Sequence, residues 1–355
     1  MTRGVLRRAR RSGARLTSLA LLGVAALALG GCDAPDPDAP QRVAVGGFSM
    51  PGSPDERLWR DFERRIIEGT EGRLKPAMLI RGEAGPEESM IAEMRRGRRI
   101  QVAGGSFQGM ATIVPEIAVI SAPFLFDSVE EVDFVMDEYV FEPLAELFAE
   151  QGVVLFQYTE VGWVNIYAQK PVVELDDVRG YPLRAASSLA ALHFVETIGA
   201  DTKPLPFTEI VPALQTGLIR GGATSITMYH YGGVRDEAGH LSLSRHSYDF
   251  GAIVANARWF EQLDPADQEV LRHAFGGHER VRGVARASVE ETLEHLVQSG
   301  IEVHEWSDAN RAVWAERAWQ EHPRLIRRIG GRAQELYDLI LEGKAEFARR
   351  EGAAD

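Results

Sequence analysis

The sequence predicts an α/β protein of two lobes, and three observations lead to this fold class. From residue 42 onward, short apolar strand patterns alternate with amphipathic helical patterns, which favours α/β layers with largely parallel sheets. The chain has 355 residues, more than one hydrophobic core usually serves, so two lobes are expected. Long helical patterns close the sequence. In such sheets, ligands bind in the crevice beyond the strand ends.

The first half of the body opens with a short strand at 42–45. Pro54 then begins a helix that has Leu58, Phe62 and Ile66 on one apolar face. The alternation continues with strands at 75–80, 101–105 and 153–158 and with helices at 87–96 and 128–151.

The second half continues the alternation and ends in helices. Two helices are each closed by a glycine, as helix C-termini often are. They cover 188–198, before Gly199, and 208–216, before Gly217. Strands are predicted at 163–167, 181–184, 223–227, 250–256 and 301–304, and further helices at 265–298 with a break near Gly276 and Gly277, at 308–329 and at 333–349.

Residues 1–32 resemble a bacterial lipoprotein signal. Six arginines precede an apolar run from Leu16 to Leu29, which is shorter than the about 20 apolar residues that span a bilayer. Small residues then lead to Cys32, the only cysteine of the chain. We therefore expect a signal peptide at 1–31, lipidation at Cys32 and a stiff Pro- and Asp-rich tether at 32–41. The alternative is a plain secretory signal.

This signal implies that the mature chain lies in the periplasm, anchored to a membrane by acyl chains. Asp33 follows the cysteine directly. An Asp at that position resembles the signal that keeps many Gram-negative lipoproteins on the inner membrane, so the inner membrane is the expected location.

The charge balance limits the partners. Without residues 1–31 the chain carries 33 basic and 52 acidic residues, a formal net charge of −19. Nucleic acid requires a basic patch, so this balance argues against nucleic acid and likewise against anionic lipid heads. An anionic ligand would need a local cationic site that acts against the overall field. With no second cysteine, the chain can form neither an internal disulfide nor a Cys-based metal site.

The sequence contains no familiar catalytic motif. It lacks HExxH and GxSxG, and the GGSFQG segment lacks the Lys-Ser/Thr of a phosphate loop. His230, His240 and His246 lie near acidic residues that include Asp236 and Asp249. A metal site there is one interpretation, and a solvated polar loop is the preferred one. We therefore expect no catalytic residues, no metal and no cofactor.

Five segments, in order, resemble the substrate-binding proteins of TRAP (tripartite ATP-independent periplasmic) transporters, the DctP-like family. The resemblance covers roughly residues 42–330. The segments are ESMIAEMRRGRRIQVAGGS, VPEIAVISAPFLFDSVEEVDFVMD, GWVNIYAQKPVVELDDVRGYPLRAASS, PLPFTEIVPALQTGLIRGGATS and LSLSRHSYDFGAIVANARWFEQLDPADQEVLRHA.

The resemblance implies a two-lobed periplasmic-binding-protein-like fold with a ligand cleft between the lobes. Lobe I would comprise 42–160 plus 250–289, and lobe II 161–249 plus 290–355. Such a protein captures a small organic acid and delivers it to a membrane permease. Two alternatives are a receptor of the same fold that signals to a membrane sensor and an extracytoplasmic enzyme with an unrecognised site.

The family's defining residue is an arginine on the second lobe that pairs with the ligand carboxylate, and Arg184 in PLRAASS falls on that position. A guanidinium presents a planar fork that matches a carboxylate with two parallel hydrogen bonds. Closure of the lobes removes water, which strengthens the pair.

Further positions are carried over from the family. Phe207 matches an aromatic that packs against the ligand, or else it anchors the start of a helix. Ser106 would offer hydrogen bonds at a strand end, or form a turn. Trp163 would wall the pocket, or pack in the core. Phe48 and Tyr229 lie in loops that face the expected cleft.

The positions at which this chain differs from the family narrow the range of expected ligands. Ala223-Thr224-Ser225 stands where many family members have an asparagine, so hydroxyls replace an amide and the second contact to the carboxylate is altered or lost. Val164 replaces the second arginine of sialic-acid-binding members, and Gly105 and Gln108 replace a Glu and an Arg of those members. Sialic acid is therefore not expected, and a monocarboxylate with an apolar or hydroxylated body is.

Overall fold

A computed structural model of the protein describes residues 39–354. The predicted signal peptide, the lipidation site Cys32 and most of the tether lie outside the described residues. Among the helices of residues 39–354, none combines the length and the apolar character that a bilayer crossing requires.

Within residues 39–354, nine strands form one mixed sheet. They are β1 (Gln41–Gly46), β2 (Leu74–Leu79), β3 (Val102–Ser106), β4 (Val153–Ala168), β5 (Pro182–Ala185), β6 (Asp201–Pro204), β7 (Gly221–Ser225), β8 (His240–Asn256) and β9 (Glu302–Glu305). The spatial order is β2-β1-β3-β8-β4-β7-β5-β6, with β9 paired to β8. Pairing is parallel among β1–β3, among β5–β7 and between β8 and β9. It is antiparallel where β8 meets β3 and β4 and where β4 meets β7, so the largely parallel sheet that we expected is interrupted at its centre.

The helices lie mainly where their amphipathic patterns predict them. They are α1 (Pro54–Gly69), α2 (Glu87–Arg95), α3 (Phe107–Met110), α4 (Val129–Val135), α5 (Phe141–Glu150), α6 (Leu189–Thr197), α7 (Ile210–Gln215), α8 (Ile226–Tyr231), α9 (Ala257–Phe260), α10 (Pro265–His273), α11 (His278–Gln298), α12 (Asp308–Trp319), α13 (His322–Ile329) and α14 (Ala333–Ala354).

Two predicted helices are interrupted at prolines. The helix expected at 128–151 contains a π-helical turn, Met136–Val140. Pro143 follows this turn; it has no N–H to donate, and its ring would clash with the carbonyl four residues earlier. The helix expected at 308–329 is split before Pro323, which lies in the first turn of α13.

The long strands β4 and β8 pair along most of their length and run through the centre of the sheet. The pairing has irregularities, one of them between Glu160 and Gly162. Gly162 has φ +94, and no atom lies within 4 Å of the position that a Cβ would occupy. The sequence pattern around this glycine looks like the end of one strand and the start of another, but the backbone continues as one bulged strand.

The first half of β8 is the main difference from the predicted elements. Residues 240–249 belong to a buried strand, so the preferred interpretation of a solvated polar loop is wrong. Distant backbone carbonyls satisfy its polar side chains. Ser242 Oγ donates to the Val172 carbonyl at 2.5 Å, and Ser247 Oγ to the Ser121 carbonyl at 2.9 Å.

Buried apolar side chains gather in separate clusters. One lies among α2–α5, α13 and α14, and a second among β1, β2, α1 and α10. A third surrounds β5, α6 and α12, and a fourth surrounds α7, α8 and the start of β8. Helix α11 begins against the second cluster with Val281 and ends against the fourth with Leu296. The predicted division into lobes remains a prediction, supported by this grouping.

The last helix departs from the predicted lobe boundaries. We expected 290–355 in lobe II, but α14 packs against α4, the π turn and the segment Pro115–Val119 of the expected lobe I. Its apolar stripe of Leu336, Tyr337 and Ile340 is buried in the first cluster, which explains the placement. His322 reinforces it, since its Nδ1 lies 2.8 Å from the Tyr337 hydroxyl.

We predict that Ile340→Ala lowers the free energy of unfolding by about 2–5 kcal/mol, because it leaves a cavity at a fully buried position. Urea denaturation followed by circular dichroism measures the change. Val313→Ala is the control, since Val313 is 53% exposed, and it should change stability by less than about 0.5 kcal/mol. Equal effects of the two substitutions would contradict the packing of α14.

Candidate functional site

A cavity lies where β5, β7 and the two long strands approach α3 and α6. Its polar lining includes Gln108, Ser121, Arg184, His246 and Asp249. Its apolar lining is made of small and branched residues with one aromatic: Val164, Ala185, Ala186, Ala190, Ala191, Phe194, Val195 and Ala223. The lining therefore combines residues of both predicted lobes.

Arg184 is the buried cation of this cavity. It lies on β5 and is 7% exposed. Its Nε donates to the Leu205 carbonyl at 3.0 Å, and among residues 39–354 no carboxylate oxygen lies within 4.0 Å of its nitrogens. Burial lowers the pKa of Arg184, while the nearby Tyr167 and Asp249 act in the opposite direction. Buried charges are normally paired, so this guanidinium is suited to an anionic partner from solution.

Tyr167 places a second donor close to this arginine. Its side chain is fully buried, and its hydroxyl has no hydrogen-bond partner among the described residues. A Cβ on Gly222 would lie 2.4 Å from this hydroxyl and 3.0 Å from the Arg184 Cβ, so only glycine fits between them. Burial raises the pKa of Tyr167, which keeps the hydroxyl protonated. Sequence reasoning missed Tyr167, because a buried strand tyrosine is ordinarily a core residue.

Asp249 is a buried anion on the same cavity. It is 8% exposed, and it accepts a hydrogen bond of 2.6 Å from Gln108 Nε2. Burial raises the pKa of Asp249 to about 6, although Ser121, Gln108 and Arg184 oppose this change. Sequence reasoning assigned Asp249 to a solvated loop, which is wrong. The alternation of Tyr248 and Phe250 with polar residues was the signal that could have identified a strand.

His246 forms a neutral part of the wall. Its ring stacks on Phe194 with centroids 4.3 Å apart, and its Nδ1 lies 2.8 Å from the Ser244 hydroxyl. Burial lowers the pKa of His246 to about 3, so the ring carries no charge at neutral pH. The contacts of His246 are those of a packing residue.

The histidines that we considered together lie apart in the structure. His230 is on α8, whereas His240 lies on β8 beside β9. Among the described residues, a different group could hold a metal ion, made of His240, Glu302 and His304. His240 Nδ1 and His304 Nε2 are 3.1 Å apart. Two imidazoles and a carboxylate are a donor set that zinc accepts.

Phe48 and Phe207 come from the two predicted lobes and contact each other. Their rings meet edge to face with centroids 6.1 Å apart. Neither residue lines the cavity. Phe207 also lies against Gly232, where a Cβ would come within 2.6 Å of its ring. The pair therefore joins the two halves of the chain away from the buried charges.

Two predicted ligand residues already have partners within the protein. Ser106 Oγ donates to Glu87 Oε2 at 2.9 Å and accepts from the Gly109 N–H, so it caps α3. Tyr229 is fully buried and donates to the Ala238 carbonyl at 2.6 Å. Both hydroxyls therefore already have hydrogen-bond partners within the chain, and neither side chain lines the cavity.

Trp163 and Thr224 lie next to residues that line the cavity but not on its wall. Trp163 packs edge to face on Tyr248, with centroids 4.8 Å apart. Thr224 pairs with Asn165 across the sheet. Successive residues of a strand face opposite sides, so their neighbours Val164 and Ala223 line the cavity instead.

Comparison with known proteins gives relatives along most of the chain. A solute-binding protein of Chromohalobacter salexigens is 26% identical over 283 residues, which cover 78% of this chain and 84% of that protein. The C4-dicarboxylate-binding periplasmic protein DctP of Rhodobacter capsulatus is 23% identical over 315 residues, covering 88% and 94%.

Solved structures agree with the predicted fold. The sugar acid binding protein DctPAm of Advenella mimigardefordensis, in complex with galactonate, superposes with a TM-score of 0.80 at 25% identity. The match covers 86% of this chain and 99% of that chain. The predicted two-lobed periplasmic-binding-protein fold is thus confirmed.

The family assignment follows from a match to most of the body. The family model described as bacterial extracellular solute-binding protein, family 7 (DctP), matches residues 46–328. The predicted resemblance to TRAP solute-binding proteins is confirmed, and the chain belongs to this family.

Proposed function

We propose that the protein captures a small organic acid in the periplasm and delivers it to the membrane permease of a TRAP transporter. The observation that carries this proposal is Arg184, a buried guanidinium on a cavity with no carboxylate of the described chain within 4.0 Å. The names of two relatives support an acidic ligand, since one binds C4-dicarboxylates and another was solved with galactonate.

The proposed contact is a bidentate pair between the ligand carboxylate and Arg184. Because Nε already donates to the Leu205 carbonyl, the side chain is fixed before the ligand arrives. The terminal nitrogens then face the ligand without a further loss of side-chain entropy. Such pairs discriminate strongly, because a neutral ligand would leave the charge buried and unpaired. The protein acts in this proposal as a binding protein and not as an enzyme.

Closure of two lobes around the ligand would complete the site. The lobes are residues 42–160 plus 250–289 and residues 161–249 plus 290–332, with α14 assigned to the first lobe because of its packing. The bulge at Gly162 lies between the two parts of β4 and is a suitable hinge, since no side chain obstructs it. The contact between Phe48 and Phe207 would then form in the closed state.

The anchor is proposed from the sequence features of residues 1–41. A signal peptide at 1–31 would be removed, Cys32 would carry the acyl chains, and the tether would hold the body near the inner membrane and its permease. A tethered receptor stays at a high effective concentration beside its membrane partner.

Asp249 works against an anionic ligand when it is ionised. Its pKa of about 6 lies above the value near 3.9 of an unfolded aspartate. As pH rises from about 4 to about 6, the unfolded chain loses this proton before the folded protein does, so stability falls, and above pH 6 the full cost of the buried charge is present. Below pH 4 the carboxyl is protonated in both states, and this cost disappears.

We predict that Arg184→Ala weakens carboxylate binding by at least about 100-fold, since it removes one partner of a buried charged pair. Isothermal titration calorimetry with galactonate and succinate, against neutral sugars and diamides, gives the affinities. Arg179→Ala is the matched control, because the Arg179 side chain is 81% exposed. Unchanged affinity of a folded Arg184→Ala protein would refute the carboxylate role.

We predict that Asp249→Asn raises the free energy of unfolding by about 1–3 kcal/mol at pH 7.5 and by much less at pH 4, since a shift of one pKa unit is about 1.4 kcal/mol. Thermal unfolding across this pH range should show the gain as a few degrees at the higher pH. Asp176→Asn, at a side chain 83% exposed, should show no such pH trend. A gain that is largest at pH 4 would contradict this explanation.

We predict that Cys32→Ser abolishes incorporation of radiolabelled palmitate and moves the protein from the membrane fraction to the soluble periplasmic fraction. The body should still fold, with the melting temperature unchanged. Labelling of the serine variant, or an unlabelled wild type, would exclude the anchor without affecting the ligand proposal.

A further inference from the structure

Two opposite charges are buried on one cavity. Arg184 and Asp249 are 7% and 8% exposed, and both line it. Within residues 39–354, no carboxylate oxygen, including those of Asp249, lies within 4.0 Å of the Arg184 nitrogens. The two groups nevertheless interact, since Asp249 opposes the lowering of the Arg184 pKa and Arg184 opposes the raising of the Asp249 pKa. The cavity is therefore polarised, with a cationic and an anionic side.

Each charge is fixed in place by the protein. The Leu205 carbonyl accepts from Arg184 Nε at 3.0 Å, and Gln108 Nε2 donates to Asp249 Oδ2 at 2.6 Å. Asp249 also lies opposite Gly162 in the register of β8 and β4, so the paired strands position its backbone. A preorganised group loses little entropy when it binds.

The rest of the wall carries no charge that could neutralise a ligand. Besides Gln108 it is formed by alanines, two valines, three serines, Pro123, Phe194 and His246. His246 is neutral, because burial holds its pKa near 3. The small residues of α6 and β5 leave an apolar surface, which suits a compact ligand body.

The two buried charges of the cavity determine which charge pattern a ligand must have. A simple monoanion paired with Arg184 would leave the ionised Asp249 buried with no opposite charge, and an unpaired buried charge is strongly unfavourable. A ligand with one anionic and one cationic end gives each buried group a partner and leaves the cavity neutral. Complementary charge placement also rejects ligands of the wrong charge pattern.

We propose that the ligand is a small zwitterion whose carboxylate pairs with Arg184 and whose cationic nitrogen donates a hydrogen bond to Asp249. This proposal rests on the proposed function and adds Asp249 as the residue that determines specificity. It replaces the expected monocarboxylate with an apolar or hydroxylated body.

The test uses pairs of ligands that differ in one group. Glycine and glycolate, β-alanine and 3-hydroxypropionate, and 4-aminobutyrate and 4-hydroxybutyrate share their carbon chains but carry an ammonium or a hydroxyl. Calorimetric titration of the full chain at pH 7.5 gives the ratio of affinities in each pair, and the series also scans the separation between the two charges. We expect at least one amino acid to bind about 30-fold tighter than its hydroxy partner.

Two variants connect the preference to Asp249. Asp249→Asn keeps the size of the side chain but removes its charge, and it should reduce the preference to within about threefold. Glu88→Gln is the matched control. Glu88 also acts electrostatically on Arg184 but does not line the cavity, so the preference should persist in this variant.

The outcomes separate the two proposals. If hydroxy acids or simple carboxylates bind as tightly as every amino acid, or if Asp249→Asn keeps the full preference, the zwitterion proposal is overturned while carboxylate binding stands. If Arg184→Ala has no effect on any ligand that binds, the proposed function itself fails.

Discussion

The antiparallel pairing of β4 with β8 is the constraint on which the rest of the structure depends. These strands run through the middle of the sheet, where β8 pairs with β3 on one side and β4 pairs with β7 on the other, so together they join the two parallel ends. Their pairing aligns Gly162 with Asp249 and Val164 with Ser247, which brings the cavity wall together from segments more than 80 residues apart. The parallel units β1–β3 and β5–β7 flank this pair, and β5 brings Arg184 to the same cavity.

The two buried charges explain much of the structure around the cavity. The protein keeps an arginine and an aspartate out of water but gives each only part of the hydrogen bonding that it can accept or donate. The hydrogen-bonding capacity that remains without a partner lowers stability in the absence of ligand. It makes binding selective for a ligand that supplies the missing partners. The Tyr167 hydroxyl beside Gly222 is a further buried group that lacks a hydrogen-bond partner among the described residues.

Most elements of the fold could be predicted because local patterns determine them. The glycine-terminated helix α6 lies within a few residues of its predicted bounds, and the amphipathic α1 begins at Pro54 as predicted. The polar half of β8 was not predicted, since Ser242 and Ser247 are satisfied by carbonyls of residues 172 and 121, and only the alternation around Tyr248 and Phe250 indicated a strand locally. The π turn before Pro143 shows the converse case, in which a local signal was present but overlooked.

The site was predictable to a similar degree. Arg184, which the strand-end position and the family resemblance indicated as a ligand residue, lines the cavity. Ser106 and Tyr229 were not, because Glu87 and the Ala238 carbonyl occupy their hydroxyls in the fold. Asp249 was missed because its role at the site depends on its burial, which a sequence does not report.

The shared strands also govern when the chain can fold. During synthesis the first 239 residues are made without β8, so β3 and β4 lack their common neighbour. Contacts between residues so far apart in sequence form slowly. The two halves of the sheet can therefore join only when residues 240–256 are available to pair.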